Sequence, residues 1–182
     1  MAASTSPFTS RLLPADILTS GYRVVGKVSV GSTGIMGMLN DATHSSMELQ
    51  DARMARLHMP TKLADHFELA RIMKRQIHAL CVARREDLGP PAMVRGSYAS
   101  VNEYPARIIT NVFEIEGTLE LPGRFDLSAL MSDGAREFIP IFNAALTAIL
   151  LPNLRVESPA MLINRSKLEL IALTGQRVKA EK

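Results

Sequence analysis

The stretch FIPIFNAALTAILLP, Phe138 to Pro152, aligns without a gap with SMELQDARMARLHMP, Ser46 to Pro60, at a spacing of 92 residues. Ala52 falls on Ala144, Pro60 on Pro152, Leu49 on Ile141 and Leu57 on Ile149. Side chains alternate across a strand, so the two faces can be read separately. One face is apolar in both copies: Met47, Leu49, Leu57 and Met59 against Ile139, Ile141, Ile149 and Leu151. On the other face, Glu48, Gln50, Arg56 and His58 correspond to Pro140, Phe142, Ala148 and Leu150, and Ser46 to Phe138.

The repeat extends outward from this pair. Ahead of it lie two β-branched stretches, GYRVVGKVSV and ARIITNVFEIEGTLEL, aligned through Gly26-Lys27-Val28 and Gly117-Thr118-Leu119. Short segments follow, GIMGMLNDA and DLSALMSDG; in the second, Asp126 is placed to cap one helical turn and Gly134 to close it. Each copy ends on a β-like stretch, RIMKRQIHALCVA and AMLINRSKLELIAL, with Arg75 aligned on Arg165. In the first copy Leu63, Phe67 and Ala70 stand at helical spacing, which predicts a short helix from Leu63 to about Met73; Pro159 argues against one in the second. The expected organisation is an N-terminal extension (1–20), a β repeat (21–87), a linker rich in Pro and Gly (88–105), a second β repeat (106–174) and a C-terminal tail (175–182). The fold class is mainly β: two tandem copies of a small barrel or curled antiparallel sheet with one or two short helices.

With Gly26 and Gly117 in the first strand of each copy, Met38-Leu39-Asn40 and Leu130-Met131-Ser132 beyond it, and INRSKLELI near the end, each copy resembles small β-barrels of the Sm-like or SH3-like kind. The resemblance covers about 70 residues per copy. It implies a fold type and, as an alternative function, a nucleic-acid-binding module.

Composition narrows the function classes. The 182 residues are 47% hydrophobic and 21% charged, with no Trp, so the core rests on aliphatic residues and ten Met. The net charge of +3 is mild and forms no nucleic-acid-binding stripe. The local basic cluster is Arg71, Lys74, Arg75, Arg84 and Arg85; of these Lys74, Arg75, Arg84 and Arg85 are candidates for docking an acidic partner. A single Cys excludes an intrachain disulfide and fits a reducing compartment. No apolar run reaches the length of a secretory signal core or a membrane span, so a cytoplasmic protein is expected.

Motifs for chemistry are weak. GSTG, Gly31 to Gly34, lacks the Lys-Ser/Thr pair of a phosphate loop and the helix that would follow it, and is read as a hairpin turn. His44, His58, His66 and His78 are spaced too widely to share a helical turn, and Cys81 sits in an alternating strand as a buried thiol. No catalytic, cofactor-binding or metal-ligating residue is assigned, and no enzyme is expected. The expected role is an assembly, adaptor or scaffold subunit working through protein contacts, as a homo-oligomer or part of a larger assembly. Its expected interface is the apolar face of the second copy: Phe138, Phe142, Leu146 and Leu150.

Overall fold

The computed structural model describes residues 10–90, 101–122, 124–132 and 136–176. The first half contains β1 (Arg11–Leu18), β2 (Tyr22–Val30), α1 (Gly34–Asn40), β3 (Ser46–Arg56), β4 (Leu63–Met73) and β5 (Ala79–Val82). The second contains β6 (Val101–Thr110), β7 (Phe113–Pro122), α2 (Leu127–Ser132), β8 (Phe138–Ala148), β9 (Leu151–Asn164) and β10 (Leu168–Leu173). The ten strands form one sheet in the order β10-β6-β7-β8-β9-β5-β1-β2-β3-β4, with every neighbouring pair antiparallel. It is mainly β, as expected, but the sheet is open, with β10 and β4 at its edges, rather than two closed barrels.

Counted from the first strand of each half, the order is the same: β5-β1-β2-β3-β4 and β10-β6-β7-β8-β9. Among the first, second and fifth strands of each half the registers agree at a displacement of 91 residues, and the third strands match at 92. Ala15 lies opposite Gly26 and Ala106 opposite Gly117, while Leu18 pairs with Ala79 and Ile109 with Leu170. The first hairpin of each half is closed by a Thr whose hydroxyl donates to a carbonyl three residues on and accepts from that residue's N–H. Thr19 bonds Tyr22 in this way, and Thr110 bonds Phe113.

Opposite Gly26 and Gly117 the third strand of each half carries an extra residue. Val25 pairs with Arg53 and Lys27 with Gln50; Glu116 pairs with Ala145 and Thr118 with Phe142. The bulges hold Asp51 and Asn143 at φ 51° and 47°, a left-handed conformation that Asp and Asn tolerate better than most residues. A Cβ on Gly117 would lie 2.9 Å from the Phe142 carbonyl oxygen, so the close backbone approach requires glycine there.

The bulges overturn the expected division of faces. Side-chain direction flips at an inserted residue, so Ile139 and Ile141 before Asn143 share a core with Ala144, Leu146 and Ala148 after it. The cores lie on opposite faces of the sheet. In β5, Leu80 and Val82 join a first-half cluster built on β1, β2, α1 and β3; Ala79 and Cys81 join a second-half cluster built on β6, β7 and β8. In β9, Ala160 and Leu162 face the first cluster while Met161 and Ile163 face the second. The β5–β9 junction is therefore buried on both faces.

Other expectations change. Arg11–Leu18 is not an extension but β1, bonded to β2 along its length and to β5 over Ala15–Leu18. Pro14 is accommodated because β5 does not reach it, and Pro105 in β6 lies beyond the pairing with β10 in the same way. Val101–Pro105, expected in the linker, open β6. Leu63–Met73 is a strand, not a helix: its backbone pairs with β3 from Ala55 opposite Leu63 to Ser46 opposite Met73, and tertiary pairing overrides the helical spacing. GSTG does make a turn, but the turn enters α1. Asp126 caps α2 as expected, its carboxylate accepting from the Ala129 N–H at 3.1 Å, while Gly134 lies outside the described residues.

Lys74, not Arg75, occupies the place of Arg165. Lys74 is buried and its Nζ donates to the carbonyls of Met38 (2.7 Å) and Asp41 (2.8 Å) at the end of α1. Arg165 donates to the Leu130 carbonyl in α2. Burial lowers the Lys74 pKa below the usual lysine value.

Candidate interaction surface

The expected interface is mostly interior. Phe138, Phe142 and Leu146 are fully buried within the single chain. Phe138 and Phe142 enter the first-half core beside α1, and Leu146 enters the second-half core. Asn40 fixes the contact by accepting from the Phe138 N–H at 2.8 Å and donating to its carbonyl at 3.2 Å. The Arg85 guanidinium lies 3.9 Å from the Phe142 ring centroid. The apolar face is thus covered by the first half of the same chain. Leu150 alone of the four is exposed, at 91%, in the β8–β9 turn.

Most of the basic residues have partners within the chain. Lys74 is buried under α1; Arg84 pairs with the buried Asp87 at 2.9 Å; Arg85 pairs with Glu120 in the second half; Arg71 reaches Glu48 at 3.3 Å. Arg75 is exposed on the turn after β4. Lys74 is thus taken up by the end of α1, while Arg84 and Arg85 each have an acidic partner within the chain and Arg75 faces outward.

The histidines stay apart. His44 bonds Asp41 at 2.9 Å and His66 bonds Asp51 at 2.7 Å, while His78 is buried edge-on against Phe113. Burial, with Lys167 nearby, pushes the His78 pKa down to about 4, and burial pushes the Cys81 thiol well above its usual value. Among the described residues no three His, Cys, Asp or Glu side chains gather as a metal site.

The sequence reading missed the surface that the fold does leave open. β4 is an edge strand of 11 residues in which nothing is fully buried. Its outward apolar side chains include Leu63, Phe67 (40% exposed), Leu69 (57%) and Met73. Beside it runs an apolar groove of about 610 Å³, floored by Tyr22, Val24, Leu49 and Met54 and bordered by residues of β4 that include Phe67, Leu69, Ala70 and Ile72. At the other end of the sheet, Leu170 of β10 is 46% exposed. An open edge strand with apolar side chains invites pairing; β4 also carries Asp65, His66, Glu68 and Arg71. The available signal was the run ADHFELARIM, whose Phe67, Leu69 and Arg71 share one strand face. The helical spacing of Leu63, Phe67 and Ala70 masked it.

Comparison with known families, curated proteins and solved structures finds no match to this chain.

Proposed function

We propose that the chain is a non-catalytic subunit of a protein assembly, acting through protein–protein contacts, and that it arose by internal duplication. One observation carries the assembly reading: β4 presents an unpaired backbone edge and four large apolar side chains beside an apolar groove. Burying each such side chain contributes roughly 1.5–3 kcal/mol, enough in sum to hold a partner. The matching strand order and registers, the two hairpin threonines and the two bulges support the duplication. The nucleic-acid alternative has weaker support, since most of the clustered cations serve internal contacts.

Native mass measurement tests the reading, on purified protein and on tagged protein in extract. The expected result is a mass above the 19.9 kDa of one chain. Phe67→Glu with Leu69→Glu should return it to the single-chain mass with the circular dichroism spectrum unchanged. A single-chain mass for the unmutated protein in both preparations contradicts the proposal.

A further inference from the structure

The β5–β9 junction inside the chain describes the contact that its two free edges could make. β9 is the fourth strand of its half and β5 the fifth strand of the other. The corresponding fourth strand of the first half is β4, and the corresponding fifth strand of the second half is β10. Those two strands are the open ends of the sheet. We propose that β10 of one copy pairs antiparallel with β4 of the next, repeating the β5–β9 junction head to tail. The proposal rests on the assembly reading above and specifies its partner as a second copy of this chain.

The side chains support this pairing on both surfaces. In the second half, the positions matching the groove floor are Phe113, Ile115, Ile141 and Leu146, all fully buried. They are closed over by first-half residues in the same cluster: Leu18, Leu57, Ala79 and Cys81. In the first half the matching floor, Tyr22, Val24, Leu49 and Met54, lines the open groove. The residues matching the cover are Ile109, Ile149, Leu170 and Ala172, and they lie at the far end of the chain. Ile149 (42%) and Leu170 (46%) are exposed there, whereas Leu57 and Ala79 are buried. Among the described residues one end of the sheet thus lacks a cover, and the other carries an exposed one of matching design.

The walls agree. Ala160 and Leu162 of β9 project into the core of the other half, and their counterparts on β4 are Leu69 and Arg71. Leu69 is exposed with no other half to enter. The face of β4 matching Met161 and Ile163, namely Ala70 and Ile72, already packs on its own core. The register is fixed by analogy. Within the chain Ala79 pairs with Ile163, Leu80 with Leu162, Cys81 with Met161 and Val82 with Ala160. Between copies, Leu170 should face Ile72, Ile171 face Arg71, Ala172 face Ala70 and Leu173 face Leu69. Such a contact uses different surfaces on the two partners, so it propagates until it closes into a ring or extends as a filament.

Cysteine cross-linking of the full chain tests the pairing. Ala70→Cys and Ala172→Cys are made singly and together, oxidised, and run without reductant. The native Cys81 is buried and provides the background in unmutated protein. Each single variant should remain one chain in size. Their mixture should give a band of two chains and nothing larger, and the double variant a ladder. Ile72→Cys with Leu170→Cys repeats the test at the next facing pair and guards against a misfolded variant. A two-chain band from either single variant points to two-fold pairing of like edges and overturns the proposal. A multimeric mass with no cross-link in either mixture overturns it while leaving the assembly reading intact. A single-chain mass for the unmutated protein overturns both.

Discussion

β9 and β4 hold the same place in the two halves, and their surroundings differ completely. β9 is buried on both faces from Ala160 to Asn164; β4 has no fully buried residue between Leu63 and Met73. Both pair with the preceding long strand in matching register, and both enter a short 3-10 turn. The difference comes from what lies across the outer edge: β5 for β9 and, among the described residues, no strand for β4. Burial in this fold is set by the neighbouring unit as much as by a strand's own position. Apolar residues such as Phe67 and Leu69 therefore read as unfinished contacts.

The sharpest break between the regions should come from charging each. Phe142→Glu with Leu146→Glu places carboxylates at two fully buried sites and should abolish the folded state, read as loss of the β signal by circular dichroism. The milder Phe142→Ala should cost about 3–5 kcal/mol in urea unfolding. The Phe67/Leu69 pair described above should change mass and leave folding alone. If both double variants stay folded, the distinction between internal and external apolar faces is wrong.

A finer comparison uses the bulge glycines. A Cβ on Gly117 would lie 2.8 Å from Ile141 Cγ1 and 2.9 Å from the Phe142 carbonyl oxygen. On Gly26 the nearest atom, the Gln50 carbonyl oxygen, is at 3.0 Å. Gly117→Ala should lose about 1–3 kcal/mol and Gly26→Ala less, measured by denaturant midpoint. Equal losses would mean that the first-half bulge is packed as tightly as the second.

The smallest expected effect is a pH dependence at the junction between halves. The folded His78 pKa of about 4 lies below the ordinary 6.5, so the unfolded chain binds the extra proton first as acid is added. Stability should fall as pH drops from 6.5 towards 4 and lose nothing further from this group below that. His78→Phe should flatten the slope in that window. An unchanged slope would assign the dependence to other groups.

The comparison also explains how much was legible beforehand. The alignment of Ser46–Pro60 with Phe138–Pro152, 92 residues apart, picks out two stretches that begin with the third strand of each half, because the order of apolar residues is visible at sequence level. Alternation then failed, because an inserted residue at Asp51 or Asn143 reverses side-chain direction without leaving a hydrophobic signature. That is how Leu146 came to be expected beside Phe138 and Phe142; those two do lie on the face opposite Ile139 and Ile141, where the first half of the chain covers them. A proline such as Pro140 ordinarily marks an edge strand or a bulge. In fact β8 pairs with β9 on one side and runs past the end of its pairing with β7, so the missing N–H forfeits no ladder bond on that side. β1 escaped notice because RLLPADIL contains a proline and precedes the more evident β2. The open groove was invisible for a different reason: it is defined by the lack of a covering strand, and no single residue reports that.

Hydrogen exchange across β4 tests most directly the claim that β4 and β9 are one design with and without a neighbour. Under conditions where native mass shows assembly, the outward amides of Leu69–Ile72 should be protected as those of Ala160–Ile163 are. Phe67→Glu with Leu69→Glu should remove the protection from β4 and leave it on β9. Rapid exchange of the outward β4 amides in the assembled, unmutated protein would contradict the account.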